Sequence, residues 1–194
     1  TGPFGFLAGA AIIIASSFCG GEFMKEMLKK KKETLIREVE IIEVLISPLV
    51  LDLDGNGIET LSLKHTYLHF DYDNNGFFER IGWVGPNDGL LVLDLNGNGK
   101  IDNGLELFGN NTLLADGLPA EDGFFALEQY DSNKDSFISD QDLIWNRLRV
   151  WRDQNSNVQT DPGELLTMAE LQIKTMQLYN YTDKIVDDNG NTHL

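Results

Sequence analysis

The feature that most constrains this chain is a repeated strand-and-loop unit. Leu49-Val50-Leu51-Asp52-Leu53-Asp54-Gly55-Asn56-Gly57 is echoed by Leu91-Val92-Leu93-Asp94-Leu95-Asn96-Gly97-Asn98-Gly99, with eight of nine positions identical. Each copy opens as a short apolar strand and turns into a loop of Asp, Asn and Gly. Residues of this kind favour turns because their short polar side chains bond nearby amides and glycine accepts positive φ. Strand-loop units therefore dominate the region after Pro48.

Further along, similar loops acquire a defined spacing. A twelve-residue loop that wraps Ca²⁺ supplies oxygens from positions 1, 3, 5, 7, 9 and 12, with a backbone carbonyl at 7 and a carboxylate at 12. Asp131, Asn133 and Asp135 take positions 1, 3 and 5; the Phe137 carbonyl, Ser139 and Asp142 take 7, 9 and 12. Ser136 stands where glycine is usual. Asp153, Asn155, Asn157, Gln159 (carbonyl), Asp161 and Glu164 fill the same positions in a second loop, with Val158 and Thr160 atypical at positions 6 and 8. This loop starts eleven residues after Asp142, the order of a paired EF-hand.

Three other loops match less fully. Asp94, Asn96, Asn98, Lys100 (carbonyl) and Asp102 fit through position 9, but Leu105 holds position 12 and Glu106 comes one residue late. Asp52, Asp54 and Asn56 are followed nearby only by Glu59. Asp71, Asp73, Asn75 and Gly76 are followed by Glu79 at position 9. Each of the three reads either as an ion site or as an Asx-rich turn without metal, and two half-loops could share one ion.

Composition agrees with oxygen ligation. Asp and Glu number 31 against 15 Lys and Arg, a net charge of −16. So acidic a chain is not a nucleic-acid binder, because phosphate contacts need clustered cations. The single cysteine, Cys19, excludes an intrachain disulfide and a cysteine-built zinc site. Calcium is therefore the expected cofactor, and because it is abundant outside cells and scarce in the cytosol, the setting expected is secreted or extracellular.

The chain divides by pattern into 1–20, 21–47 and 48–194. Residues 2–18 are almost all apolar or small, a length at the short limit for a membrane span. They read as a buried helix of a larger protein, a membrane-active segment, or a non-native addition. In 21–46, Met24, Leu28, Leu35, Val39, Ile42 and Ile46 recur at helical spacing, interrupted by the run Lys29 to Lys32. That run is a solvated helix face or a contact for anionic lipid, so membrane contact through 2–32 is one expectation. Ser47-Pro48 marks the boundary. Phe124 to Tyr130 and Ile144, Leu148, Trp151 read as helices flanking the Asp131 loop. Thr167 to Glu170 matches a capping box, and Thr175 to Tyr179 reads as a strand. The expected fold is α+β: short strands with Gly/Asp-rich calcium loops, plus a paired EF-hand-like helix-loop-helix region. The start at Thr1 and the end at Leu194 suggest a piece of a longer protein.

Taken together, Ser47-Pro48-Leu49-Val50-Leu51-Asp52-Leu53-Asp54-Gly55-Asn56-Gly57-Ile58-Glu59 resembles the opening of the self-processing module of iron-regulated RTX proteins of Gram-negative bacteria. The resemblance continues through Gly89-Leu90-Leu91-Val92, Asp94 to Gly99, Ile101-Asp102-Asn103-Gly104, Glu106-Leu107-Phe108-Gly109 and Leu148-Arg149-Val150-Trp151. It runs from about Pro48 to the C-terminus and does not cover the 46 residues before. It implies a module that calcium folds and that then cleaves an Asp-Pro bond at its own N-terminal edge. There the aspartate carboxylate attacks its own backbone carbonyl, and the resulting anhydride is hydrolysed or captured by a lysine that joins two chains. Here Ser47 stands at the aspartate's place, and a serine has no carboxylate to form the anhydride. Either Ser47 was introduced to trap the uncut form, or this relative does not cleave; an acyl shift to the Ser47 hydroxyl is a third route. Asp161-Pro162 lies inside a calcium loop and reads as structural. The expected function is a calcium-binding module of a secreted RTX-like protein, against the alternatives of a trapped self-cleaving and cross-linking module or a fragment of a membrane-acting toxin. Other protein chains, or the rest of its parent protein, are the expected partners.

Overall fold

The computed structural model describes residues 48–62, 67–178, 185–189 and 192–193. Contacts divide the chain into Thr1–Val44 and Leu45–Leu194, and every described residue lies in the second unit. The expectations for 2–18, for 21–46 and for Ser47 lie outside the described residues. Among the described residues, no helix is long and apolar enough to cross a membrane.

The centre is a four-stranded antiparallel sheet in the order β1 (Val50–Leu51), β6 (Gly89–Val92), β8 (Arg149–Trp151), β9 (Leu165–Leu166). The strand that opens the first copy pairs with the strand that leads into the second, Val50 opposite Leu90 and Leu51 opposite Gly89. β6 is buried along its whole length, which is why it reads as a continuous apolar run rather than an alternating one. Side chains still alternate between faces. Leu91 and Val150, opposite one another in the ladder, enter a cluster with Leu93, Phe108, Leu127, Ile138 and Leu148. Leu90, Val92 and Trp151 enter a second cluster with Phe70, Trp83, Ile101 and Leu107. The sheet is thus covered by apolar side chains on both faces. Val92, Val150 and Trp151 are fully buried.

The edge of β6 beside β1 is shared. Leu49 donates to the Phe108 carbonyl at 2.8 Å and accepts from the Leu91 amide at 2.9 Å, while Leu93 donates to the Glu106 carbonyl at 2.9 Å. Smaller antiparallel pairs surround the sheet: β2 (Thr60–Leu61) with β5 (Trp83–Val84), β3 (His69–Phe70) with β4 (Glu79–Arg80), β7 (Phe137–Ser139) with β10 (Thr175–Gln177), and β11 (Ile185–Val186) with β12 (Thr192–His193).

The expected α+β fold with a paired helix-loop-helix is not what forms. Among the described residues, helix is limited to α1 (Gly123–Glu128), capped by the Asp122 carboxylate on the Phe125 amide, and one 3-10 turn at Gly104–Glu106. The residues after Asp142 make successive turns, with Arg147 bonded to the Ile144 carbonyl at 2.8 Å. Ile144 and Leu148 do face one cluster, but Trp151 faces the other. Apolar residues three and four apart suit a helix or a pair of turns equally well. What decides is that Val150 and Trp151 are buried on opposite faces, which only an extended strand allows. The capping box at Thr167 forms its bonds, with Glu170 donating to the hydroxyl at 3.1 Å and Thr167 to the Glu170 carboxylate at 2.8 Å. It opens a single turn, closed at Gln172 by a left-handed φ of 57°. The strand expected near Thr175 to Tyr179 is present as β10.

Candidate metal centre

Five loops share one backbone course. At positions 4 and 6 each takes a positive φ: Gly55 and Gly57, Asn74 and Gly76, Gly97 and Gly99, Lys134 and Ser136, Ser156 and Val158. These left-handed residues turn successive amides inward onto the first carboxylate. Asp52 accepts from Gly55 and Gly57 at 2.7 and 2.8 Å, and Asp94 from Gly97 and Gly99 at 2.7 Å each. Asp131 accepts from Lys134 and Ser136 at 2.7 and 2.9 Å. Asp71 and Asp153 accept from positions 5 and 6 instead, Asn75 and Gly76 at 3.0 and 3.1 Å, and Asn157 and Val158 at 3.1 and 2.8 Å.

The second carboxylate or carboxamide repeats the arrangement one step on. Asp54, Asp73, Asn96, Asn133 and Asn155 each accept from the amide at position 5, at 2.9 to 3.2 Å. Asn75, Asn98, Asp135 and Asn157 accept from the amide at position 7, that of Phe77, Lys100, Phe137 and Gln159. Position 9 converges with them in two loops. Asn96 and Asn98 both reach Asp102 at 2.9 and 2.7 Å, and Asn155 and Asn157 both reach Asp161 at 2.8 and 3.0 Å. A carboxamide turned by half a rotation offers oxygen to the same point. In the third, Ser139 is buried and its hydroxyl accepts from Gln141 at 3.3 Å.

Every loop is closed by an acid bonded to the amide of its second residue. Asp142 accepts from Ser132 and Ser139 at 2.9 Å each, and Glu164 from Gln154 and Asp161 at 3.0 Å each. Glu106, one residue late in sequence, does the same for Leu95 and Asp102 at 3.0 and 2.7 Å. The 3-10 turn from Gly104 supplies the slack. Glu79 accepts from Tyr72 at 3.0 Å. The Asp52 loop is closed from elsewhere in the chain: Asp88, fully buried before β6, accepts from Leu53 at 3.3 Å and from Glu59 at 2.6 Å. Sequence reasoning missed Asp88, because no spacing links residues that far apart. Glu59 itself points away, accepting from Asn87 at 3.1 Å.

Among the described residues, two clusters each bring three carboxylates together. Asp52, Asp54 and Asp88 each place an oxygen within 4.8 Å of the others, as do Asp71, Asp73 and Glu79. The Asp153 loop is the most deeply set. Asp153 accepts from the Trp83 indole at 2.8 Å, and Glu164 from the Trp151 indole at 3.4 Å. These two rings pack edge to face 5.3 Å apart.

Amide donors stabilise the charged form of a carboxylate. The Gly57 amide foremost holds Asp52 below the usual aspartate range, despite some desolvation. Bonds from Asn96 and then Asn98 lower Asp102. For Asp142 burial is the largest influence and pushes upward, but the amides of Ser139, Ser132 and Asn133 and the Ser132 hydroxyl outweigh it. The side chains gathered in the loops offer carboxylate and amide oxygens, the set suited to a hard cation.

The loops do not pair as expected. The Asp131 loop pairs through Ile138 with Met176 of β10, not with the Asp153 loop. The Asp153 loop instead meets the Asp94 loop, where the Ile101 amide donates to the Thr160 hydroxyl at 2.9 Å.

The family model for the SPM domain matches residues 49–194, from the first strand of the central sheet through the last described one. The chain belongs to the SPM domain family. This SPM domain is 50% identical over 147 residues to the iron-regulated protein FrpA of Neisseria meningitidis serogroup C. The match covers 75% of the present chain and 13% of that protein. The SPM module therefore corresponds to a small part of a much longer relative.

Proposed function

We propose that this SPM domain is a calcium-folded module of a longer, exported RTX-like bacterial protein. The observation that carries the reading is the shared frame of the five loops, each with an amide-bonded first carboxylate and a closing acid on its second amide. Asp52, Asp54 and Asp88 hold oxygens within 4.8 Å of one another, a spacing at which each pair of like charges repels by about 1–4 kcal/mol across effective dielectrics from water to a protein surface. Calcium, when bound, supplies the countercharge. The chain's own residues do the rest. Backbone amides aim the first carboxylate of each loop, and the closing acids tie the loop ends together. Binding energy at such loops is partly folding energy. The module's partners, in this reading, are other protein chains or the remainder of its parent.

Calorimetric titration tests it. Asp131→Ala and Asp153→Ala should each lower calcium affinity and, in calcium, the melting temperature together. Melting in calcium that neither substitution changes would overturn the reading.

A second reading is favoured by the anchoring at Leu49. Its amide and carbonyl are both tied into the sheet, at Phe108 and Leu91, one residue after Pro48. In this reading the module is an uncut form of a calcium-dependent self-cleaving and cross-linking unit, with Ser47 where the attacking aspartate would stand. Ser47→Asp should then create a calcium-triggered cut before Pro48, visible in the intact mass. An uncut variant in millimolar calcium (an order of magnitude typical of extracellular modules) would sink it.

A further inference from the structure

We propose that Thr160 is a positioning residue for the neighbouring Asp94 loop, so that the Asp94 and Asp153 loops take up calcium as a coupled pair while the Asp131 loop acts separately. This rests on the calcium reading above and concerns how the sites are regulated. Thr160 holds position 8 of its own loop, and Ile101 holds position 8 of the other. The Thr160 hydroxyl accepts from the Ile101 amide at 2.9 Å, across 59 residues of sequence. That amide belongs to the same peptide group as the Lys100 carbonyl, the oxygen at position 7. A peptide group is planar, with N–H and C=O opposed. Fixing the Ile101 N–H therefore fixes the direction in which the Lys100 carbonyl points.

The surroundings support a mutual effect. Ile101 is buried in the second apolar cluster beside Trp151 and Val158, so its backbone cannot drift freely. The two loops form facing walls of one cleft, Asn98, Gly99 and Lys100 on one side and Thr160, Asp161, Pro162 and Gly163 on the other. Ordering either wall restrains the other. In the Asp131 loop the position-8 residue, Ile138, is held by a strand, β10, that carries no loop of this kind. Thr160 is also the residue that looked atypical at position 8, where an apolar side chain is usual; a hydroxyl there serves the neighbouring loop.

Amide resonances of the ¹⁵N-labelled full chain, followed through a calcium titration, resolve the loops. Gly97 and Gly99 report the Asp94 loop, Val158 and Gly163 the Asp153 loop, Lys134 and Ser136 the Asp131 loop. Thr160→Val keeps the shape and removes the hydroxyl. It should raise the calcium midpoint at Gly97 and Gly99 by about twofold to tenfold, the effect of one hydrogen bond, and leave Lys134 and Ser136 unmoved. Thr160→Ser should restore the wild-type midpoint. Coupling is reciprocal, so Asn98→Ala, a change at an exposed side chain, should raise the midpoint at Gly163; this arm stands even if Thr160→Val folds poorly. Unchanged midpoints at Gly97 and Gly99 in the valine variant, an equal shift in all three loops, no rescue by serine, or no response of Gly163 to Asn98→Ala would overturn the proposal. A wild-type chain in which no loop answers to calcium would overturn the calcium reading itself, a result distinct from these.

Discussion

At the residue scale, the loops ask the same backbone of very different side chains. Positions 4 and 6 take positive φ whether they hold Gly, Asn, Lys, Ser or Val. A left-handed residue other than glycine costs about 1–2 kcal/mol, partly balanced by glycine's larger freedom when unfolded. Ser136 has a φ of 66° and an exposed side chain. Ser136→Gly should therefore raise stability by up to about 1 kcal/mol, seen as a higher melting temperature. Val158 has a φ of 60° but is only 8% exposed and packs in the second cluster. There the same change should destabilise, since burying a valine contributes about 1.5–3 kcal/mol. The residues at positions 1, 3 and 5 of the loops were legible at this scale because their spacing is local. Val158 and Thr160 looked like departures from a calcium loop because their reasons, a buried cluster and a neighbouring loop, are not local.

At the scale of elements, the strands, the loops and the helix before Asp131 were legible, and the helix expected after Asp142 was not. The repeat announces β1 and β6, and these two strands pair. The periodicity around Ile144 and Leu148 is real, but turns satisfy it, and burial of Val150 and Trp151 on opposite faces draws the chain into β8. The capping box at Thr167 formed without a helix to cap, so the local motif and the element it usually opens are separable. Asp88 belongs to this scale, because only the pairing of β1 with β6 brings it to the Asp52 loop. Asp88→Asn keeps an acceptor for one of the Leu53 and Glu59 amides and removes the charge. It should cost the module one bound calcium, counted by native mass spectrometry, and about 1–3 kcal/mol of stability. An unchanged ion count would remove Asp88 from the site.

At the scale of the whole molecule, one sheet with a cluster on each face carries the loops, and the carboxylates of one loop are tied into that core. Asp153 and Glu164 accept from Trp83 and Trp151, and these rings lie within the second cluster. The Asp153 loop and the second cluster are therefore tied to one another. With a net charge of −16, the chain repels itself as it compacts, and in the proposed reading cations bound at the loops would reduce that repulsion. The family, the acidity and the loop pattern were all legible from residues; the pairing of the loops and the closing of the Asp52 loop were not, since both depend on contacts across the fold. The most direct measurement is thermal unfolding of the 194-residue chain, followed by near-ultraviolet circular dichroism of its tryptophans, in calcium and in a calcium chelator. A calcium-folded module should show a cooperative transition at a clearly higher temperature in calcium, with the tryptophan signal weakened or lost in chelator. The same melting curve and the same tryptophan signal in both would contradict it.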